Sequence, residues 1–213
     1  MKGAATVKGN PDVKPEHIAT QELVYMLQTA DTLSEFVVYK SRWTDSIVSA
    51  PLTGDPGFSS RYVNAGNSKA YGAEASFTLQ GDPWTVETSA SYVRSENTSL
   101  NYDYVAFPKW ILNLGVGYRL PEYNTELFVN NRAHLNADEG QVAASLPSPA
   151  ALKDYWRSDI HVTTHVNKQA SLTLDIRNLF DRANALPSTQ TNPSPGGIPD
   201  EPRSIKLGVT YAL

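Results

Sequence analysis

The feature that most constrains this chain is a rhythm: long stretches of strictly alternating residues, joined by tight and wide connections in turn. The clearest stretch sets Trp110, Leu112, Leu114, Val116, Tyr118 and Leu120 against Ile111, Asn113, Gly115, Gly117 and Arg119. Successive side chains on a strand point to opposite faces, so such a stretch has one apolar side and one polar side. The C-terminal stretch repeats the pattern, with Ile205, Leu207, Val209, Tyr211 and Leu213 opposed to Ser204, Lys206, Gly208, Thr210 and Ala212. The stretch before it sets Leu172, Leu174 and Ile176 against Ser171, Thr173, Asp175 and Arg177.

Read the same way, the chain from His17 onward holds about nine strands. They fall near residues 18–28, 33–48 and 61–79, then from Trp84, at 110–120, at 127–135, at 155–166, from Ala170 and from Ser204. Tight turns at 29–32, 81–83, 121–123 and 167–169 alternate with wide loops near 50–60, 95–107, 137–153 and 182–201. Outer-membrane barrels keep this alternation, with turns on the periplasmic side and loops outside. A soluble sandwich crosses between sheets and does not. Strand length agrees: spanning takes roughly 9 to 11 residues per tilted strand, while globular strands average about 5 to 6. The expected fold is all-β, an antiparallel up-and-down transmembrane β-barrel segment over residues 17–213, after a lead-in at 1–16.

Composition permits this. Hydrophobic residues make up 40% and the mean hydropathy is -0.37, values of a soluble protein. A barrel, however, needs only its outward positions apolar. No run approaches the roughly 18 to 20 apolar residues of a spanning helix. The absence of cysteine excludes a disulfide framework and a thiolate metal site, and a net charge of -4 argues against nucleic acid as a partner. The first ten residues lack the apolar core of a signal peptide, so the expectation is a chain that stays inside the cell or whose beginning lies elsewhere.

Aromatic residues gather near strand ends: Trp84, Trp110, Tyr118, Tyr123 and Trp156. Amphipathic rings settle at the membrane–water boundary, although core-edge rings occupy the same positions in soluble sheets. The polar faces carry both signs of charge, Glu74, Glu87, Glu126, Asp159 and Asp175 beside Arg119, Arg132, Arg157, Arg177 and Lys206. Such residues suit a wide lumen facing water or a polar plug. A solvated sheet face suits them equally by type, and the apolar purity of the opposite face tells against it. The four histidines, His17, His134, His161 and His165, read as wall residues. On a strand His161 and His165 stand roughly 13 Å apart, too far to share a metal ion. No catalytic or cofactor-binding group emerges.

Several stretches resemble the TonB-dependent receptors, the plugged, roughly 22-stranded outer-membrane transporters. Gly9-Asn-Pro-Asp-Val-Lys-Pro-Glu16 looks like the family's Gly-Asn-Pro-x-Leu-x-Pro-Glu segment, and the run from Asn64 to Glu74 resembles its Asn-x-Gly…Gly-x-Glu strand. The stretches from Pro108 to Tyr118 and from Tyr155 to Asp159 fall where related patterns fall. Asn178, Leu179, Phe180 and Asp181 match the family's most recognisable tetrapeptide. The end, with Lys206, Gly208, Tyr211 and Leu213, resembles the terminal strand that barrel-assembly machinery reads, with Leu213 where the family usually ends in Phe.

The resemblance implies an energised outer-membrane receptor taking up a scarce ligand, most often a ferric siderophore, otherwise cobalamin, haem or a glycan. It implies the membrane lipid and the assembly machinery as partners, with TonB acting through a plug. It implies no enzyme and no cofactor. Plug, TonB box and first barrel half are not among these residues. An unpaired backbone group in hydrocarbon costs several kcal/mol, and bacterial barrels have even strand numbers. The expectation is therefore the C-terminal, open part of a larger barrel, completed by an N-terminal half and a plug. The alternatives are an autotransporter-like translocator or adhesin barrel, with about twelve strands and a pore helix, a non-functional truncated fragment, or a soluble β-protein.

Overall fold

The computed structural model describes residues 6–103, 107–137, 152–188 and 196–212. Nine long strands run in chain order: β1 (His17–Gln28), β2 (Thr32–Pro51), β3 (Ser60–Gln80), β4 (Trp84–Asn97), β5 (Trp110–Leu120), β6 (Thr125–Leu135), β7 (Tyr155–His165), β8 (Ala170–Arg177) and β9 (Ser204–Tyr211). Each pairs with its neighbours in sequence, so the sheet is an open antiparallel meander from β1 to β9. Short pairs attach at the wide-loop ends. Tyr102–Asp103 adds to β4, Ala185–Leu186 pairs with Ile198–Pro199, and Val7–Lys8 lies parallel to Ser60–Arg61 of β3. The lead-in is thus partly recruited into the sheet.

Observed strands differ from the expected ones mainly by extending further towards the wide loops. β2 reaches Pro51 and β4 reaches Asn97. Their ends are polar and lack a clean alternation, because beyond the membrane neither face has to be apolar.

The chain divides into two compact units. The first comprises Met1–Leu23, Tyr39–Gly72 and Arg94–Tyr104. Within it, side-chain amides take the place of regular ladder bonds. Asp45 adopts a left-handed backbone (φ 58°) inside β2, which an Asp tolerates better than most residues. Asn64 Nδ2 donates to the Asp45 carbonyl (2.7 Å) and to the Lys14 carbonyl (2.9 Å), and Asn67 Oδ1 accepts from the Asp45 N–H (3.3 Å). Gly66 is needed between them, since a Cβ there would come within 2.9 Å of Ser46 Cβ. Glu16 Oε1 accepts the Ile47 N–H at 2.6 Å. In the following loop Lys8 Nζ meets Asp55 at 2.7 Å. That hydrogen bond, followed by one from the Gly57 N–H, holds the Asp55 carboxyl below its usual range.

The second unit comprises Val24–Val38, Ala73–Val93 and Val105–Leu213. Its registers place the expected apolar positions of β4, β5 and β6 on one face. Trp84, Val86, Thr88, Ala90 and Tyr92 lie opposite Tyr118, Val116, Leu114, Leu112 and Trp110, and these lie opposite Leu127, Val129, Asn131, Ala133 and Leu135. No second protein layer covers this face among the described residues. Leu207 is 83% exposed and Val209 76%, and across the described residues only Val37, Ala137 and Tyr155 are buried apolar residues. Moving one large apolar side chain out of water stabilises by roughly 1.5–3 kcal/mol, so a face left this bare calls for an apolar solvent. Among the described residues no helix is long and apolar enough to cross a membrane.

Candidate functional site

The polar face of β4–β9 forms a wall with a glycine-lined floor and a charged rim. Gly115 and Gly117 on β5 leave room for the Phe128 ring from β6, since a Cβ at Gly115 would lie 2.6 Å from Phe128 Cζ. Beside it Arg119 and Glu126 stand opposite in register, 3.5 Å apart, with Asp82 of the adjoining turn 3.8 Å from the guanidinium. Asn113 Nδ2 donates to Ser89 Oγ (3.1 Å), and Asn113 Oδ1 accepts from Arg132 Nε (3.2 Å). His161 Nδ1 meets Asp175 Oδ1 at 2.6 Å, and Lys206 lies opposite Asp175 on the other side. Among the described residues no group of three or more metal-ligating side chains forms.

The rim centres on Arg157. Its register partner is Arg132, a like charge, so its guanidinium turns to carboxylates instead: Asp159 at 2.8 Å, Glu201 at 3.0 Å and Asp200 at 3.5 Å. Arg177 shares Glu201 at 3.3 Å. Tyr155 stacks on His134 (4.6 Å between centroids) and donates its hydroxyl to Asp200 Oδ2 at 2.7 Å. Burial by itself would raise the Asp200 carboxyl. The Tyr155 hydroxyl, the Glu201 N–H and the Arg157 guanidinium outweigh it and hold the group below its usual range. The network ties the end of the last wide loop to the wall.

These contacts join Asp159, Arg157, Arg177, Arg119, Glu126, Arg132 and Asp175 into pairs or networks. Glu74 and Glu87 share the polar face but form no ion pair among the described residues; Glu74 lines a shallow hollow with Glu35, Ser76, Ser89 and Ser91. Asp200 and Glu201 are absent from the sequence-based expectation because they sit in a loop, where periodicity carries no signal.

At the wide-loop end of β7 and β8 the ladder changes character. β8 stops at Arg177 while β7 continues up to Tyr155, leaving backbone groups of β7 without a strand beside them. The tetrapeptide 178–181 and the residues immediately after it supply partners. The Leu179 N–H donates to the Ser158 carbonyl (2.8 Å), and the Asn184 amide both accepts from the Trp156 N–H (3.1 Å) and donates to its carbonyl (2.8 Å). Asn178, 1% exposed and left-handed at φ 50°, donates to the Arg182 and Glu201 carbonyls and accepts the Arg182 N–H. Asp181 Oδ1 accepts the Arg203 N–H at 2.9 Å, fixing the approach to β9. Phe180 is left 71% exposed.

A polar pair interrupts the apolar face within β6 and β7, and alternation alone passes over it. Asn131 and Ser158 lie opposite each other, and Ser158 Oγ donates to Asn131 Oδ1 at 2.6 Å. The signal in the sequence is one polar residue in the apolar phase of each strand; their pairing comes only from the register. On the terminal strand, Gly208 faces Thr173, and a Cβ there would overlap Thr173 Oγ1. Lys206 shares that polar face, Tyr211 lies on the apolar one, and Leu213 lies outside the described residues.

The aromatic residues form two tiers. Trp84 and Tyr118 pair across strands with centroids 4.4 Å apart, and Tyr92 and Trp110 pair at 4.7 Å. Along the strand the tiers are roughly 26 Å apart at about 3.3 Å per residue. At a tilt of about 40° that is roughly 20 Å of height, comparable with an outer-membrane apolar band of about 25 Å. Trp156, in register with Ala133, lies about two residues inward of the Tyr92–Trp110 tier.

A family model described as TonB dependent receptor-like, beta-barrel matches residues 1–179. The chain belongs to this family of outer-membrane receptor barrels, which serve transport and not catalysis. It is 26% identical over 233 residues to an iron-regulated outer membrane virulence protein of Vibrio cholerae, covering 100% of this chain and 33% of that protein. The chain thus spans about a third of the length of this curated relative. Among solved structures, the pyoverdine outer membrane receptor FpvA of Pseudomonas aeruginosa bound to pyoverdine superposes with a TM-score of 0.77 at 13% identity, over 94% of this chain and 30% of that one. The ferric-catecholate import receptor Fiu of E. coli K12 gives 0.74 at 19% identity, over 95% and 28%. The copper transporter OprC gives 0.71 at 16%, over 94% and 32%. At these identities the likeness is one of fold.

Proposed function

We propose that this chain forms the C-terminal part of the barrel wall of an energised outer-membrane receptor that imports a ferric siderophore. The observation that carries the reading is the iron-regulated relative, aligned along the whole chain, together with a sheet whose two faces suit lipid and a polar bore. On this reading Glu74, Glu87, Arg119, Glu126, Arg132, Arg157, Asp159, Asp175 and Arg177 line the bore and face a plug through which TonB acts. Trp84, Trp110, Tyr118 and Trp156 mark the membrane boundaries. Lys206, Gly208, Tyr211 and Leu213 present the terminal strand to the assembly machinery. Among the described residues, the outer strands β1 and β9 each have one edge without a neighbouring long strand. In hydrocarbon such an edge is costly, so further strands of a longer barrel would cover both.

Uptake assays on a deletion strain test the ligand. Loss of radiolabelled ferric-siderophore uptake under iron limitation, restored by the intact gene, supports the reading. Unchanged iron uptake with a loss of copper accumulation would redirect it to a copper receptor.

A further inference from the structure

Between Trp156 and Phe180, at the wide-loop end of the apolar face, lies a cleft lined also by Ser158, Asn178 and Arg182. Its floor is polar but committed, since Ser158 bonds to Asn131 and Asn178 to the loop backbone. Its walls are two rings, 51% and 71% exposed. At its mouth the Arg182 guanidinium makes, among the described residues, one hydrogen bond, Nη2 to the Asp154 carbonyl at 2.8 Å. Among the described residues no carboxylate lies within ion-pair distance of it. Arg203, 48% exposed at its side chain, stands 4.0 Å from Asp181 Oδ2 and donates Nη1 to the Leu179 carbonyl at 3.4 Å, and Lys153, beside Asp154 in sequence, is exposed. Among the described residues, the Asp154 and Asp181 carboxylates are turned to backbone N–H groups, Asp154 to that of Asn136 and Asp181 to that of Arg203.

We propose that this cleft seats the phosphorylated headgroup of a glycolipid of the surrounding outer leaflet, with Arg182 binding the phosphate and Trp156 and Phe180 flanking the upper acyl chain. The inference rests on the membrane reading of the apolar face. Three features fit this occupant. The cleft opens on the lipid-facing side, its Trp156 wall lies within about two residues of the Tyr92–Trp110 tier, near where headgroups begin, and a guanidinium with no carboxylate beside it among the described residues is the group best suited to a phosphate. A soluble ligand entering the bore would meet the opposite face.

The test quantifies phosphorylated glycolipid co-purifying with protein extracted from outer membranes in mild detergent. Arg182→Glu and Phe180→Ala are expected to retain about tenfold less than the parent, and Arg182→Lys an intermediate amount. Lys168→Glu, in the tight turn at the other end of β7, should retain the parental amount. Equal retention in Arg182→Glu, or equal loss in Lys168→Glu, would overturn the proposal. Heat-modifiable migration reports the barrel separately, so a folded variant that keeps its lipid defeats the cleft and leaves the membrane reading standing. Should the variants fail to assemble, hydrogen exchange on the parent decides. Lipid A in phosphatidylcholine vesicles should slow amides at residues 179–184 relative to phosphatidylcholine alone, whereas inorganic phosphate at equal concentration should not. Absence of local slowing, or equal slowing by free phosphate, would contradict a lipid occupant.

Discussion

The middle of β5–β6 and the wide-loop end of β7–β8 solve the same problem in opposite ways. In the first, the backbone groups are met by neighbouring strands, and side chains only fill space: Phe128 over Gly115 and Gly117 on one face, and on the other Leu112 and Val116 half-buried about an exposed Leu114. In the second the neighbouring strand ends early, and side-chain amides of Asn178 and Asn184 stand in for it. The ladder tolerates most substitutions that keep the phase of the strand. The substitute ladder depends on particular atoms, which gives a physical reason for an Asn-Leu-Phe-Asp tetrapeptide at that place.

The largest effect should come from Asn178→Leu. It strips partners from the Arg182 N–H and from the Arg182 and Glu201 carbonyls, each costing about 1–3 kcal/mol when left unmet, and puts a bulky residue at a positive φ. A total loss of roughly 3–5 kcal/mol is expected in denaturant unfolding of the detergent-solubilised barrel. Wild-type stability in this variant would mean that the amide network is ornamental.

Next is the contrast between faces. Leu114→Arg on the bare face should cost about 2–4 kcal/mol and reduce the assembled, heat-modifiable fraction. Asn130→Arg, on the opposite face and in register with Asp159, should cost almost nothing. Similar losses from both would erase the distinction between lipid and bore. Gly115→Val should cost about 1–3 kcal/mol by forcing Phe128 aside, and the additional change Phe128→Ala should recover part of it.

The smallest effect is that of acid on the last loop. The Asp200 carboxyl titrates below its usual 3.8, so its contribution is complete above that pH and is lost as pH falls through the lower, folded value. Limited proteolysis near residues 196–203 should therefore accelerate only below about pH 4, and Asp200→Asn should be equally sensitive at neutral pH. A parental loop already labile at pH 6 would disagree with this assignment.

Strand identity, phase and the alternation of turns and loops were legible in the sequence because a membrane imposes one requirement on every second residue. Trp110–Leu120 illustrates it, its ends matching those expected. The Arg157 network was half legible: Arg157, Asp159 and Arg177 show in the strand phase, whereas Asp200 and Glu201 reach it from a loop about forty residues on. The matched Asn131 and Ser158 were visible only as two separate breaks in pattern, since nothing local says that residues 27 apart are cross-strand partners. Left-handed Asp45 inside β2 was equally hidden, because its cause is the Asn64 and Asn67 amides of the next strand.

The chain has no cysteine, so single cysteines placed at 111, 112, 113, 114 and 116, leaving out the two glycines packed by Phe128, can carry a spin label in the membrane-inserted protein. Accessibility to oxygen should be high at 112, 114 and 116, and accessibility to a water-soluble nickel chelate should be high at 111 and 113, following the period of two. Uniform accessibility along the strand, or protection of 112, 114 and 116 from both reagents, would contradict a sheet with lipid on one face and a water-filled bore on the other.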